Sequence, residues 1–384
     1  MRELYFDHAA TTPPREEVVA VYAEVMRSYV GNPSSLHRLG AEAESLVRRA
    51  RETIASVIGV DADEIVFTSG GTESNNLAIK GAALRYAERG RHLVTTAIEH
   101  PSVFEAFRQL ESFGYEVTYL PVDHRGIVRV GDVERALRDD TILVSVMHVN
   151  NEVGSVQPIA EIGRLLASRP KTLFHVDAVQ SFGRLPIDPR GWGVDLMSFS
   201  AHKFRGPKGA GFLYKRGAVE LMPLLSGGGQ EMGVRSGTEH VAGVVAMAKA
   251  ARLAAERQKQ DAERMYALRR RLRNRLRELP GVTLNGPEDA PEAAPHIVHL
   301  SVPGVKAETI VHELEADGIY ISTQSACSSR KDKPSRVLEA MGRGGAISMS
   351  GLRISLSAEH AEEDVDLLVE RLSRALERVV RMKV

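Results

Sequence analysis

The segment with the clearest capacity for chemistry runs from Ser198 to Lys203 and has the sequence Ser-Phe-Ser-Ala-His-Lys. Its lysine amine could form a Schiff base with an aldehyde cofactor, and nearby donors could bind a phosphate and exclude water. A lysine taken alone is more often an ordinary surface residue. A Schiff-base role for this lysine is therefore predicted only if the chain also supplies a matching carboxylate and a phosphate-binding turn.

A suitable carboxylate is Asp177, in the segment 173–180, which has the sequence Leu-Phe-His-Val-Asp-Ala-Val-Gln. The apolar residues predict a buried strand with Asp177 near its carboxyl end, where open α/β sheets bind ligands. A carboxylate there could pair with a protonated pyridine nitrogen. A second predicted strand, from Val194, leads directly into Lys203.

A phosphate-binding turn is predicted at residues 69–72, Ser-Gly-Gly-Thr, between a short apolar strand and a helix over 73–89. The glycines, including Gly71, let backbone amides approach a phosphate, and the helix N-terminus supplies unpaired N–H groups. Thr72 is expected to cap the helix and to donate its hydroxyl. No Gly-Lys-Ser/Thr follows, so this is not a Walker loop. Together with Lys203 and Asp177, the turn predicts a phosphate cradle.

Two further residues could complete a site. His100 follows a predicted strand and is held by Pro101, and its unperturbed pKa near neutrality suits acid–base steps. Arg353 lies on a predicted strand, where its guanidinium fork suits a carboxylate ligand. The plainer interpretations are a locally bonded loop histidine and a structural ion pair.

Cys327 is the sole cysteine of the chain. Its segment is rich in small polar residues and is therefore expected to be an exposed loop. Arg330, Lys331 and Lys333 are close in sequence and would favour the thiolate, so a nucleophile is predicted rather than a small buried apolar residue. One cysteine excludes a disulfide within the chain and is typical of a reducing cytoplasm.

Composition narrows the class of protein. The chain has 384 residues, of which 43% are hydrophobic and 26% charged, with no formal net charge. This length allows about two domains. Because the chain has no net charge, long-range electrostatic attraction to nucleic acid or to a membrane surface is not expected, and neither is predicted as a partner. No signal peptide is predicted, and the longest apolar runs, about eight residues, are too short to span a bilayer. A cytoplasmic protein is expected.

Strands alternate with helices through most of the chain, which predicts a mostly parallel α/β sheet. A surface loop is predicted over 282–292, and a smaller α/β unit is predicted from the strand that begins at residue 297. The expected division is a large domain over 15–255 and a small domain formed by 1–14 and 256–384. An apolar helix is predicted over 241–255 and a long charged helix over 250–279, and the domain boundary is expected within the long helix. The arginines between Arg269 and Arg277 are expected on a solvent-exposed helix face, with docking of tRNA or an acidic protein as a minor alternative.

Several segments together resemble one family. HVDAVQS and DLMSFSAHKFRGPKG resemble the class V pyridoxal-phosphate enzymes, and within them the NifS/IscS-type cysteine desulfurases. The resemblance extends from YFDHAATTP near the start to GLRISLS near the end, and Ser-Ala-Cys-Ser-Ser around Cys327 is the desulfurase signature. It implies fold type I of the pyridoxal-phosphate-dependent transferases and a homodimer with shared active sites.

The resemblance implies a role for each matching residue. Lys203, His100 and Cys327 would be catalytic, with the His100 ring stacked on the cofactor. The implied cofactor-binding residues are Gly71, Thr72, His100, Asn151, Asp177, Gln180, Ser200, His202, Lys203 and, from the neighbouring subunit, Thr238. The implied substrate-binding residues are Asn151, Arg353 and Asn32.

The implied reaction converts L-cysteine to L-alanine and leaves a persulfide on Cys327. The sulfur would pass to an iron–sulfur scaffold protein or to a tRNA-thiolation enzyme. No intrinsic metal is expected, although the Cys327 persulfide could transiently ligate an iron–sulfur cluster. The alternatives are a selenocysteine lyase, a transaminase of the same fold and a non-catalytic module that binds a phosphate ligand. The Cys327 loop favours desulfuration over all three.

Overall fold

The computed structural model describes residues 3–323 and 334–381. The predictions for Cys327 and for its basic neighbours Arg330, Lys331 and Lys333 lie outside the described residues.

Within these ranges, the chain forms thirteen strands and eleven α-helices. The strands are β1 (Leu4–Tyr5), β2 (Ile65–Thr68), β3 (His92–Thr96), β4 (Glu116–Leu120), β5 (Thr141–Met147), β6 (Leu173–Asp177), β7 (Leu196–Ser200), β8 (Gly211–Lys215), β9 (Thr283–Asn285), β10 (Ile297–Ser301), β11 (Ile319–Tyr320), β12 (Ser322–Thr323) and β13 (Gly351–Ser355). The helices are α1 (Glu16–Ser28), α2 (Arg38–Ile58), α3 (Gly71–Arg85), α4 (Pro101–Ser112), α5 (Val130–Ala136), α6 (Ile159–Leu166), α7 (Val241–Arg277), α8 (Ala307–Ala316), α9 (Arg336–Ala340), α10 (Ala346–Met349) and α11 (Glu362–Arg381).

The main sheet has seven strands in the order β2-β8-β7-β6-β5-β3-β4. Strand β8 is antiparallel to both of its neighbours, and the other neighbouring pairs are parallel. Strands β5, β6 and β7 are buried along their whole length, as expected for parallel strands that are covered on both faces. The predicted α/β class with a mostly parallel sheet is confirmed.

Helices cover both faces of this sheet and create two apolar layers. One layer joins the sheet to α2, α6 and α7 through residues such as Val47, Ile162 and Val244. The other joins it to α3 and α4 through Leu77 and Phe107. The sheet is therefore held rigidly between helices, and its strand ends provide a fixed edge for polar side chains.

A second, four-stranded antiparallel sheet has the order β12-β13-β10-β9. Its apolar core includes Leu272 from α7, Leu314 from α8 and Leu368 from α11. Strand β1 pairs in parallel with β11, so the N-terminal segment joins this part of the protein. The division of the chain at residue 255 stays a prediction.

Helix α7 is one continuous helix of 37 residues, where the sequence suggested two. After Gly243 it contains neither glycine nor proline, and most of its residues favour helices. Its first half packs against the main sheet through Val244 and Leu253, and its second half packs against the small sheet through Leu268 and Leu272. The helix therefore connects the two apolar cores.

The prediction of a solvent-exposed arginine face on α7 is wrong for Arg269 and Arg273. Their exposures are only 2% and 6%. Arg269 donates from Nε to the Ile297 carbonyl at 3.1 Å and from Nη2 to the Pro287 carbonyl at 2.8 Å. Carbonyl acceptors on another element satisfy a buried guanidinium, and helical periodicity cannot reveal them. Arg271 does behave as expected, because it is partly exposed and pairs with Asp366 at 2.6 Å.

The predicted start of α3 also needs correction. The helix begins at Gly71 with Gly70 as its N-cap residue, so Thr72 lies in the first turn and is not the cap. The Ser69 amide donates instead to Glu73 Oε2 at 2.7 Å. In the described part of the chain, no helix combines the length and the apolar character needed to cross a membrane.

Candidate active site

A cavity of about 430 Å³ opens at the carboxyl ends of the parallel strands. Ten of the residues predicted for the site line it: Gly71, Thr72, His100, Asn151, Asp177, Gln180, Ser200, His202, Lys203 and Arg353. Asp177 ends β6 and Ser200 ends β7, so the sheet itself sets their spacing. Asn32 and Thr238 are exposed and do not line this cavity.

Asp177 provides a buried carboxylate on the cavity wall. Its Oδ2 accepts from Asn75 Nδ2 at 2.8 Å, and its Oδ1 accepts from the Val179 amide at 3.0 Å. Burial raises the pKa of Asp177, while the two donors and the charge of Lys203 act in the opposite direction. A cationic ligand group placed against this carboxylate would favour its ionised form.

Lys203 lies just beyond β7, in a short turn of 3₁₀-helix. Its Nζ donates to the carbonyls of Ala9 at 2.7 Å and Ala10 at 2.8 Å. Beside it, His202 Nδ1 and Thr11 Oγ1 are 3.1 Å apart, and burial followed by the charge of Lys203 lowers the His202 pKa to about 4. The N-terminal segment therefore forms the wall that positions the lysine.

The glycine turn before α3 needs both of its glycines. Gly70 has a φ of 150°, which residues with a side chain rarely adopt. A Cβ on Gly71 would lie 2.8 Å from Val179 Cγ2 and 3.5 Å from Ser200 Cβ. The N-terminus of α3 can thus approach the cavity closely, and its first amides have no acceptor within the helix. This arrangement suits an anionic group.

His100 is the N-cap residue of α4. Its Nδ1 accepts from the Ser102 amide at 3.1 Å and lies 2.8 Å from Ser102 Oγ. Burial, and then the charges of Lys203, Arg336 and Arg353, lower the His100 pKa to about 4. The imidazole is therefore neutral at pH 7, whereas the sequence suggested a pKa near neutrality.

Arg353 lies on β13 of the small sheet, is 2% exposed and lines the cavity. Its Nη1 donates to the Asn151 carbonyl at 2.8 Å, and its Nη2 pairs with Asp7 Oδ1 at 3.0 Å. Its Nε has no hydrogen-bond partner among the described residues. The guanidinium is thus fixed on two sides while one donor stays available within the described structure.

Gln180 ties the N-terminal segment to the small sheet. Its Nε2 donates to the Ala9 carbonyl at 2.9 Å, and its Oε1 lies 3.1 Å from Nε2 of buried His296. Gln180 therefore supports the same backbone that holds the Lys203 amine.

Sequence reasoning missed several supporting groups. Asn75 is the fifth residue of α3 and Ser102 the second residue of α4, and their nearness to predicted site residues is the one signal that could have identified them. Asp7 lies within the YFDHAATTP segment, but its partner Arg353 is 346 residues away. The Ala9 and Ala10 carbonyls are backbone groups, so the pattern of side chains in the sequence cannot reveal their role.

The cavity thus combines an amine, a buried carboxylate, a neutral imidazole, a guanidinium and a helix N-terminus. This set can hold a small ligand with one anionic end and one cationic group, and it can move a proton at Lys203 Nζ. The described residues contain no group of three or more His, Cys, Asp or Glu side chains that could hold a metal ion.

Comparison with known proteins shows which family the chain resembles. Residues 4–368 match the family described as Aminotransferase class-V. A protein of Dictyoglomus turgidum named cysteine desulfurase IscS is 43% identical over 98% of this chain and 95% of its own length. A solved structure described as a NifS-like protein has a TM-score of 0.92 and 39% identity, covering 98% of this chain and 100% of that chain. Another, described as SspA in complex with cysteine, has a TM-score of 0.81 and 36% identity, covering 93% and 100%.

These likenesses extend over nearly the whole chain, and they confirm the resemblance derived from the sequence motifs. The chain belongs to the class-V aminotransferase family and, within it, to the NifS/IscS group.

Proposed function

We propose that this protein is a cysteine desulfurase, which removes sulfur from L-cysteine, releases L-alanine and holds the sulfur as a persulfide on Cys327. The observation that carries the proposal is the single cavity shared by Lys203, Asp177, His100 and Arg353. A relative that matches nearly the whole chain is named a cysteine desulfurase, and a similar solved structure is described with cysteine.

Pyridoxal 5'-phosphate, the cofactor on which this family depends in general, fits the residues present. Asp177 is a buried carboxylate that could accept a cationic ring nitrogen, and the space beside Gly70 and Gly71 suits a phosphate. When bound, the cofactor supplies an aldehyde that captures amines and a ring that accepts electrons.

The proposed cofactor contacts follow from the lining of the cavity. Lys203 Nζ would be the amine that holds the aldehyde, and Asp177 would keep a proton on the ring nitrogen. His100, which is neutral, would cover the ring and exclude water. The remaining proposed contacts, to the phosphate and the ring oxygen, come from Gly71, Thr72, Asn151, Gln180, Ser200 and His202.

Substrate binding is proposed to depend on Arg353. The N–H groups of its guanidinium would donate to the carboxylate of L-cysteine, while Asp7 and the Asn151 carbonyl hold the arginine side chain in place. Once the substrate amine has released it, Lys203 Nζ would remove the proton from the substrate α-carbon and later return a proton to the product. Asn32 remains a proposed substrate contact, although it is exposed and engaged with the Ser34 amide.

The sulfur-transfer step is assigned to Cys327. Its thiolate attacks the sulfur of the bound cysteine, so an S–S bond forms as the substrate C–S bond breaks. The carbon takes up a proton and leaves as L-alanine, and the enzyme keeps the transferred sulfur as a persulfide. An external thiol reductant releases that sulfur as sulfide and regenerates the Cys327 thiol, which balances the reaction.

The protein is proposed to act as a homodimer with shared active sites. Thr238 lies outside the cavity of its own chain, as a contact to the cofactor of a partner subunit would require. Large apolar side chains are exposed in the same region, including Leu225 at 47% and Met232 at 53%. Exposed apolar groups concentrated in one region are typical of an interface.

The proposed sulfur acceptor is an iron–sulfur scaffold protein or a tRNA-thiolation enzyme. Either would collect the persulfide from Cys327, which could also ligate an iron–sulfur cluster transiently. A selenocysteine lyase and a transaminase of the same fold are the alternative functions.

The proposed function is tested by supplying L-cysteine and a thiol reductant and measuring sulfide and L-alanine together. Native protein should release both in equal amounts. Lys203→Ala should release neither, and Lys171→Ala, at an exposed lysine distant from the cavity lining, should match native protein. Stoichiometric accumulation of pyridoxamine phosphate without alanine or sulfide would favour the transaminase, and activity confined to selenocysteine would favour the lyase.

A further inference from the structure

A second cavity, of about 290 Å³, lies behind the segment that holds Lys203. Lys203 is the one described residue that lines both cavities. The new cavity is bounded by Arg15, the residue before α1, by α7 and by the residues after β13. Six cationic side chains line it: Arg15, Arg184, Lys203, Arg205, Arg257 and Arg264.

Only two carboxylates, Asp261 and Glu359, are among the lining residues, and both neutralise little of the positive charge of the cavity. Asp261 is 3.9 Å from Arg15, a long ion pair. Glu359 pairs with Arg205 at 2.7 Å, but its side chain is 62% exposed, so water screens the pair. His8 also lines the cavity and is neutral, because burial lowers its pKa to about 3. The cavity therefore carries an excess of positive charge.

Arg184 is the most buried of the six cations and is only 6% exposed. Its Nη2 donates to the His8 carbonyl at 3.4 Å, while its Nη1 is buried without a hydrogen-bond partner among the described residues. Burial, and then the charge of Arg205, lower its pKa to about 10. Burying an unpaired guanidinium is costly, so its position calls for an anion that the described chain does not provide.

Arg205 is held toward the same cavity by an uncommon backbone conformation. Its φ is 66°, in the left-handed region that residues with side chains seldom adopt. Its amide donates to Thr12 Oγ1 at 2.8 Å, and its Nη2 donates to Ser357 Oγ at 2.8 Å. These contacts fix a second guanidinium near Arg184, from a different part of the chain.

We propose that this second cavity binds a small ligand that bears a phosphate group. Guanidinium forks match the oxygens of a phosphate in pairs, and several arginines that converge from different elements suit a doubly charged anion. A single carboxylate would leave most of the positive charge unpaired. The volume accommodates a phosphate or a small phosphate ester. This site is separate from the proposed cofactor cradle and does not depend on the proposed function.

Calorimetric titration with inorganic phosphate tests the site. The protein is first loaded with pyridoxal phosphate and dialysed free of the excess, so that the cradle at Gly71 is closed to the titrant and the second cavity is left empty, and chloride keeps the ionic strength constant. Native protein should bind phosphate saturably at one site. Because a hydrogen bond to a charged group contributes strongly, Arg184→Gln should weaken binding by about tenfold or more.

Two further variants make the titration decisive. Arg257→Gln changes an exposed side chain that lines the cavity, so it should fold normally and weaken binding by a smaller factor. Arg135→Gln, at an exposed arginine of α5, should bind phosphate like native protein. If Arg184→Gln does not fold, Arg257→Gln decides. Absence of saturable binding to native protein, or equal binding by native protein and both cavity variants, would overturn the proposal.

Discussion

Single residues in the main cavity depend on partners that lie far away in sequence. Asp177 is held by Asn75, 102 residues earlier, and Lys203 by the carbonyls of Ala9 and Ala10, more than 190 residues earlier. The proposed chemistry at Asp177 and Lys203 therefore rests on supporting groups as well as on the reacting ones.

Asn75→Ala should weaken pyridoxal phosphate binding by about ten- to a hundredfold, because the Asp177 carboxylate loses a donor worth about 1.5–3 kcal/mol. Equilibrium titration of cofactor absorbance measures this change. Asn76→Ala is the matched control, because the neighbouring Nδ2 donates to the Thr72 carbonyl and not to Asp177. Equal cofactor affinity in the two variants would show that Asn75 does not support the site.

Residue type and position predicted the principal groups of the cavity, but not what holds them. Lys203 and Asp177 are polar residues at the carboxyl ends of apolar strands, and that pattern is visible in sequence. Asp7 opposes Arg353 because β1 pairs with β11 and Asp7 itself bridges to Ser355 of β13, and backbone carbonyls carry no sequence signal. The pKa of His100 depends on burial and on three cations brought together by folding.

At the scale of elements, the turn before α3 sets the proposed phosphate cradle. Gly71→Ala should weaken cofactor binding, because its Cβ would lie 2.8 Å from Val179 Cγ2 and displace the helix N-terminus. Gly59→Ala is the control, because Gly59 has a φ of 71° with no atom near the added Cβ.

The two glycine variants should affect different properties of the protein. Gly59→Ala should lower the free energy of unfolding by about 1–2 kcal/mol and leave cofactor affinity unchanged. Gly71→Ala should reduce cofactor affinity, as measured by absorbance titration. If Gly71→Ala retained native affinity, the turn would not be the phosphate cradle.

Glu99 connects β3 to β5 and is 1% exposed. Its Oε1 accepts from Thr96 Oγ1 at 2.7 Å and from the Met147 amide at 2.9 Å, and burial raises its pKa to about 8. Between about pH 4.5 and pH 8 the folded protein holds a proton on Glu99 that the unfolded chain releases. This group's contribution to stability is therefore complete below pH 4.5 and is lost as the pH rises toward 8.

Glu99→Gln should remove this loss of stability at rising pH, because the glutamine amide keeps an acceptor oxygen and cannot ionise. Urea unfolding between pH 5 and pH 8 measures how the free energy of unfolding changes with pH. In Glu99→Gln it should fall less steeply than in native protein, by up to about 1.4 kcal/mol per pH unit. Glu105→Gln, at an exposed position on α4, should leave the slope unchanged. A slope equal to that of native protein in Glu99→Gln would show that Glu99 is ionised when buried.

Elements were more predictable than the contacts between them. Strand and helix alternation gave the parallel sheet, because buried parallel strands are continuously apolar. The arginines of α7 were misassigned because Arg269 and Arg273 are covered by segments distant in sequence. A helical pattern shows which face is polar, but not whether another element covers it.

At the scale of the whole molecule, the exposed apolar region near Thr238 predicts a dimer. Leu225→Glu should shift the native mass to that of a monomer and abolish desulfuration, because a buried unpaired charge opposes association. Phe113→Glu is the control, since Phe113 is 54% exposed at the end of α4. Light scattering with size exclusion measures both variants. A monomeric native protein that is fully active would contradict shared active sites.

The central claim is that sulfur from L-cysteine becomes bound to Cys327. The most direct measurement is intact mass after a single turnover, with pyridoxal phosphate, L-cysteine and no reductant, with L-alanine quantified in the same sample. Native protein should gain one sulfur atom per chain, located on Cys327, and release an equal amount of L-alanine. Cys327→Ala should gain no sulfur and release no alanine. Alanine and sulfide production by Cys327→Ala at the native rate would contradict the account.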